Sequence, residues 1–268
     1  MKILKYILCG CLFILCCTQC KDNAAKEEKK AIPVIFDTDV GNDIDDVLAL
    51  QMLFNYENQG LIELLGISIS KSNQYSIEYI DAYSRLNNRH DIPLGFAYDG
   101  VNPENGGYTK QTLDTIIDGD KILHPKRSLN SNLPEGYKLM RKLLASQEDS
   151  SVVLLAVGPE TNLARLLDSE GDEYSELGGK DLILKKVKLL TLMGGLFSEE
   201  YDFTEWNLEQ DLQAAKKVFS EWPTEIVTSG WELGYILQYP HQSILNDFEN
   251  GYKHPLCVSY QVYEKMPY

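Results

Sequence analysis

Short apolar runs alternate with longer stretches of helical period along most of this chain, and few folds satisfy that order. Pro33-Val34-Ile35-Phe36 is followed by Val47-Leu48-Ala49-Leu50-Gln51-Met52-Leu53-Phe54, which reads as strand, turn and helix. The strand-like Leu64-Leu65-Gly66-Ile67-Ser68-Ile69 then precedes a helical Ser76 to Leu86 and a short Ile92-Pro93-Leu94-Gly95-Phe96. Further along come a helix over about Glu135 to Ala145, a strand from Val152 to Val157, a helix from Thr161 to Leu167, a strand from Val187 to Leu192 and a helix from Leu208 to Phe219. The pattern predicts an α/β fold with an open, mostly parallel, doubly wound (Rossmann-like) sheet. In such sheets ligands sit beyond the carboxyl ends of the strands, so loops directly after strands are where chemistry is expected. The segment from Tyr98 to Asn132, with Gly106-Gly107 and Asp118-Gly119, is polar and poorly periodic and reads as a mobile loop near the site.

The loop after the first strand is the most unusual in the chain. Asp37-Thr38-Asp39-Val40-Gly41-Asn42-Asp43-Ile44-Asp45-Asp46 packs five aspartates into ten positions between an apolar strand and an apolar helix. Like charges this close either raise one another's pKa or share a cation, and a hard divalent ion with oxygen ligands is the simplest neutraliser. Gly41 permits a tight turn, and Asp45-Asp46 stand where a helix N-terminus favours negative charge. Any one of these aspartates alone would be explained as a cap or turn residue; the whole cluster is better explained by a metal. An EF-hand register fails, because starting at Asp37 it puts Asn42 where glycine is needed and Leu48 where a bidentate glutamate belongs. An apolar strand followed by Asp-x-Asp also resembles the haloacid-dehalogenase-like phosphatases, although these explain neither Gly41 nor the Asp45-Asp46 pair.

Asp37-Thr38-Asp39-Val40-Gly41 followed by Asp45-Asp46-Val47-Leu48-Ala49 resembles the amino-terminal signature of the inosine/uridine-preferring nucleoside hydrolases. The usual form places the Asp pair two residues earlier, so the spacing here resembles a divergent branch. Three later segments match in order: Leu65 to Asn73, Gly158-Pro159-Glu160-Thr161-Asn162-Leu163-Ala164, and Met193-Gly194-Gly195 leading to Glu205-Trp206-Asn207. The resemblance implies the nucleoside hydrolase fold and calcium-dependent cleavage of the N-glycosidic bond of ribonucleosides, giving ribose and free base. It makes Asp39 and Asp46 side-chain calcium ligands, with Thr161 adding its backbone carbonyl, and it makes Asp39 the acceptor of a proton from the attacking water. Asp45, Asn73, Glu205 and Asn207 match positions that bind ribose hydroxyls, with Met193 against the sugar. Each has a plainer reading too: Thr161-Asn162 as a helix cap, Asn73 as a turn residue, Glu205 as a solvated loop acid. The Asn usual between the Gly-Gly and the Glu is replaced by the Ser198-Glu199-Glu200 loop.

The resemblance also implies a late His-Asp or aromatic-Asp pair supplying a leaving-group acid and the last calcium ligand. His241 is followed by Gln242 and His254 by Pro255, so both read as surface or packing residues. The chain stops at Met266-Pro267-Tyr268, directly after a helix-like Leu256 to Glu264, and the expectation is that it is the carboxyl-terminally incomplete form of a longer protein. A non-catalytic envelope protein that binds nucleosides or sugars is the second class of function kept in view.

Charge and cysteines set the compartment and partners. The formal net charge is -15, and residues 1 to 32 hold six Lys against three acids, so the body is more acidic still. Nucleic acid is excluded as a partner on that balance, whereas an uncharged nucleoside is not repelled. Cys9, Cys11, Cys16, Cys17 and Cys20 lie in the first twenty residues, leaving Cys257 alone in the body without a disulfide partner there. Lys2 and Lys5, an apolar run from Ile7 to Cys17 and a polar stretch from Lys21 to Lys30 read as a lipoprotein signal over residues 1–20 and a tether over 21–32, ahead of one domain over 33–268. The apolar run is too short to span a bilayer stably. Cys20 is the expected acylation site because Lys21-Asp22-Asn23 begins the tether, with Cys16 or Cys17 as alternatives. The protein is therefore expected in a bacterial cell envelope, touching membrane only through its lipid; assembly into a homo-oligomer stays open.

Overall fold

The structure, a computed structural model, describes residues 30–264. The leader, its cysteines and most of the tether lie outside the described residues. Strand β1 (Ile32–Thr38) leads through helix α1 (Asp45–Asn58) to β2 (Ile62–Lys71), and α2 (Gln74–Leu86) leads to β3 (Leu94–Val101). An excursion follows, with α3 (Thr109–Asp114) and the hairpin β4 (Ile116–Ile117) and β5 (Asp120–Lys121), before α4 (Gly136–Ala145). The second half runs β6 (Val152–Ala156), α5 (Thr161–Asp168), α6 (Gly179–Lys186), β7 (Val187–Met193), α7 (Trp206–Gln210), α8 (Leu212–Glu221) and β8 (Ile226–Ser229). It closes with α9 (Trp231–Ile236), α10 (His241–Asn246) and α11 (Pro255–Tyr263).

The six long strands form one sheet in the order β3-β2-β1-β6-β7-β8, and every pairing is parallel. From β1 the chain works outward through β2 and β3, then crosses back to lay β6, β7 and β8 on the other side. The connections after β1 and β6 therefore diverge at the carboxyl ends of the two central strands, the position at which open α/β sheets bind their ligands.

Side chains along β1 alternate between two cores, as strand geometry dictates. Val34 and Phe36 pack with Val47, Leu50 and Phe54 of α1 and Ile77 and Tyr83 of α2. Ile35 faces the opposite layer, with Met140 and Leu144 of α4, Leu163 and Leu166 of α5, Ile183 of α6 and Val218 of α8. Each such fully buried side chain contributes about 1.5–3 kcal/mol, so the strand carrying the aspartates is clamped from both faces.

Two expectations need correction. The helix expected from Leu208 to Phe219 is two helices, because Asp211 leaves helical geometry and its carboxylate accepts from the Ala214 amide at 3.1 Å to start α8 afresh. The segment from Tyr98 to Asn132 is built rather than open: Tyr108, Leu113 and Leu123 are buried in the core and act as isolated anchors without periodicity. The backbone amides of Lys126 and Arg127 are further fixed on the Asp81 carboxylate at 2.6 and 3.0 Å. Cys257 is buried as a free thiol. His254 stacks on Phe248 and accepts from the Leu256 amide through Nδ1, a packing and capping role. Among the described residues no helix is long and apolar enough to cross a membrane.

Candidate active site

The end of β1 sends its side chains to alternate faces, and this sorts the aspartates. Asp37 turns toward α5, where its Oδ1 accepts from the Ser68 hydroxyl and, at 2.9 Å, from the Asn162 amide; its Oδ2 has no partner. Burial pushes its pKa up to about 7, with the two hydrogen bonds opposing the shift and the charge of Asp39 adding to it. Thr38 turns the other way and donates to Asp46 Oδ2 at 2.6 Å. Asp39 is buried, and its Oδ2 accepts from the Asn42 side-chain amide at 2.8 Å.

Asp39 and Asp46 meet. Burial raises Asp39 to about 6, against the Asn42 hydrogen bond, the positive charge of Lys71 and a hydrogen bond with Asp46 itself. Asp46 is held well above the ordinary carboxylate range, first by burial and then by the charges of Asp39, Asp45 and Asp43. Two carboxyl groups forced together in this way need either a proton or a cation between them. Among the described residues no three His, Cys, Asp or Glu side chains converge as a ready ion site. A cation here would therefore rest on two carboxylates completed by other oxygens, a hard donor set that fits calcium or magnesium rather than a softer metal.

Glycines bring the neighbouring loops in. A Cβ on Gly158 would stand 2.6 Å from Asp39 Oδ1 and 2.8 Å from its backbone nitrogen, so only glycine lets the loop after β6 lie against Asp39. Pro159-Glu160-Thr161 follow directly from that contact. Thr161, buried at the start of α5, donates its hydroxyl to Asp211 at 2.7 Å. Glu160 is fully buried with neither carboxylate oxygen partnered, and burial together with the charges of Glu205, Asp37 and Asp211 pushes it up to about 8.

The remaining expected residues fall into two groups. Asn207 is buried, its Nδ2 reaching the Val157 carbonyl at 3.1 Å, the Met193 carbonyl at 3.3 Å and the Met193 sulfur at 3.1 Å, so it joins the ends of β6 and β7. Glu205 caps α7, accepting from the amides of Asn207 at 2.9 Å and Leu208 at 3.2 Å, and also from Gly195 at 3.1 Å. Asp45 stands exposed in the first turn of α1, beside Asp46. Asn73 lies on the other side of β1: it caps α2 through the Tyr75 amide and donates to the Pro103 carbonyl at 2.8 Å. The plainer readings, Asn73 as a turn residue and Glu205 as a solvated loop acid, are thus both revised: each side chain caps a helix, and Glu205 is buried.

Three residues near the carboxylates were not singled out from sequence, Asn42, Lys71 and Glu160, nor was Tyr108, which supports the Asp loop from outside. Lys71 is fully buried at the end of β2 and donates to Asn42 Oδ1 at 2.7 Å, the Asn102 carbonyl at 2.8 Å and Glu104 at 2.9 Å. Tyr108 donates nothing to the carboxylates but accepts the Gly41 amide at 3.1 Å. The one signal available was a lysine closing a strand that is otherwise mostly apolar or small.

Comparison with known proteins identifies the family. The chain is 28% identical over 204 residues to the pyrimidine-specific ribonucleoside hydrolase RihA of Klebsiella pneumoniae, covering 70% of this chain and 57% of that protein. It thus spans little more than half the length of the curated relatives it matches. Among solved structures it resembles the inosine-uridine preferring nucleoside hydrolase of Bacillus anthracis, with TM-score 0.63, 20% identity, and coverage of 88% of this chain and 77% of that one. It also resembles the purine-preferring ribonucleoside hydrolase of Gardnerella vaginalis, with TM-score 0.64, 17% identity, and coverage of 86% and 71%. At such identities the structures speak for the fold alone. The sequence profile of the inosine-uridine preferring nucleoside hydrolases, however, matches residues 34–261 without a break between the Asp loop and α11. That span decides against the phosphatase-like resemblance, and the chain belongs to the inosine-uridine preferring nucleoside hydrolase family.

Proposed function

We propose that this protein hydrolyses the N-glycosidic bond of ribonucleosides with the help of one calcium ion held by Asp39, Asp46 and the backbone carbonyl of Thr161. The observation that carries the reading is the buried Asp39–Asp46 carboxyl pair at the carboxyl end of β1, where the strand order reverses. Bound there, calcium would supply the positive charge that grips a ribose diol and acidifies a water molecule.

The chain's own residues supply the rest. Asp39 accepts the proton of the attacking water, which requires it to face the anomeric carbon from the side opposite the leaving base. Asp45, Asn73, Glu205 and Asn207 bind ribose hydroxyls, and Met193, held by the Asn207 amide, lies against the sugar. As the base departs the ribose becomes oxocarbenium-like, and the surrounding carboxylates stabilise that cation more than they stabilise the neutral substrate. Base preference is left to experiment, since the relatives' names include both pyrimidine-specific and purine-preferring enzymes.

The test is release of free base and reducing sugar from purine, pyrimidine and nicotinamide ribosides, with a phosphomonoester panel alongside. Where the reading frame continues past Tyr268, the longer product is assayed with the 268-residue chain. Equimolar base and sugar support the proposal. Phosphate release without riboside cleavage refutes it, and tight riboside binding without turnover on either product replaces it with a binding protein. We further propose that the mature protein is anchored in a bacterial cell envelope by acylation of Cys20; palmitate labelling that survives Cys20→Ser unchanged contradicts this choice.

A further inference from the structure

Lys71 takes no part in the chemistry just described, yet it is the most fully partnered cation near the site. A buried ammonium costs several kcal/mol unless its donors are satisfied. Here they are satisfied by two loops far apart in sequence: Asn42 Oδ1 at 2.7 Å in the Asp loop, and the Asn102 carbonyl at 2.8 Å and Glu104 at 2.9 Å in the loop after β3.

The consequence for Asp39 runs through the Asn42 amide. An amide has one accepting and one donating end, and an ammonium tolerates only the accepting end. With Oδ1 turned to Lys71, the Nδ2 of Asn42 is turned to Asp39 and donates to Oδ2 at 2.8 Å. One carboxylate oxygen of Asp39 is thereby fixed, and the other is left toward Gly158 and the loop that begins α5. The same two loops are also joined without Lys71, by the Gly107 amide on the Gly41 carbonyl at 2.8 Å and the Gly41 amide on the Tyr108 hydroxyl at 3.1 Å. Lys71 alone adds the choice of amide orientation.

We propose that Lys71 is a positioning residue: through Asn42 it holds the Asp39 carboxylate in a single orientation while stapling residues 102–108 over the Asp loop. The kinetic part of this inference rests on the hydrolase reading above; the structural part does not.

The experiment uses the whole chain and three variants, Lys71→Met, Asn42→Ala and Tyr108→Phe, the last removing a link between the same loops without touching Asn42. Hydrogen exchange is measured first, by mass spectrometry. Lys71→Met is expected to speed exchange of residues 39–44 and 102–108 about tenfold or more while peptides of β6 and β7 keep parental rates. Unchanged exchange in both loops overturns the proposal whatever the enzyme does; if Lys71→Met does not fold, Asn42→Ala is read for residues 39–44 in its place.

Turnover is measured second. Lys71→Met and Asn42→Ala are each expected to lower kcat about tenfold or more with KM nearly unchanged, and the double variant to be no slower than the worse single one, because both act on one chain of contacts. Tyr108→Phe is expected to lower Tm comparably yet keep kcat within about threefold of the parent. Multiplicative losses in the double variant, or an equal kcat loss in Tyr108→Phe, would show a merely structural role and overturn the proposal. If neither the parent nor the longer product cleaves a riboside, the hydrolase reading fails, and the exchange result still decides the staple.

Discussion

The hydroxyl of Thr38 donates to Asp46 Oδ2 at 2.6 Å, tying the last residue of the first strand to the first turn of the helix that follows. The contact fixes which Asp46 oxygen is left for an ion. Thr38→Val keeps the volume and removes the donor, so Asp46 Oδ2 loses the Thr38 hydroxyl while the carboxylate remains buried beside Asp39. Stability is expected to fall by about 1–3 kcal/mol, read by urea denaturation, and calorimetry should show calcium binding weakened about tenfold through the freed carboxylate. Unaltered calcium affinity at reduced stability would confine Thr38 to the fold.

Gly158 is expected to tolerate no side chain. Its Cβ would meet both the side chain and the backbone nitrogen of Asp39 below 3 Å, and backbone cannot swing aside as a flexible side chain does. Gly158→Ala should cost about 1–3 kcal/mol by overpacking and should abolish the calcium-induced rise in Tm, which in the parent follows from mass action. A variant with parental Tm in both conditions would mean that the loop after β6 does not press on Asp39 in solution.

Asp81 predicts a specific acid sensitivity. Burial raises its pKa, but the Lys126 amide, the Arg127 side chain and the Arg127 amide outweigh burial and hold it below the ordinary Asp value. A group depressed in the folded state contributes stability above its unfolded pKa of about 3.9 and loses it as pH falls through the folded value. The stability gap between the parent and Asp81→Asn, measured by urea denaturation, should be constant near neutrality and close only below about pH 4. A gap that widens with acid would contradict the assignment.

How much of this was legible from sequence follows from range. Runs such as Leu64 to Ile69 and Val152 to Val157 carry their burial in their own composition, and the corresponding strands are there. The edge strand Ile226–Ser229 is four residues long and mostly half-exposed, too short for a period to register. The break at Asp211 hinges on one side-chain bond to Ala214, a cap that a continuous helical period conceals. The carboxylate crowding at Asp37 to Asp46 announced itself because its members are neighbours in the chain. Lys71 did not, because its partners Asn102 and Glu104 lie about thirty residues further on and only the fold brings them together. Similarly, the buried Glu160 acquires its meaning from Glu205 and Asp211, which reach it through the β7 and α8 connections.

The most direct test of the account is riboside turnover by the parent and Asp39→Ala, each assayed with chelator and with saturating calcium. The account predicts that the parent, taken as the longest product of its reading frame, releases equimolar base and reducing sugar with calcium and falls silent with chelator. Asp39→Ala should lose about 10²–10⁴-fold in kcat even with calcium in excess, since both ion placement and proton acceptance go with it. Parental turnover in Asp39→Ala, or cleavage by the parent that chelator leaves untouched, would contradict the central claim.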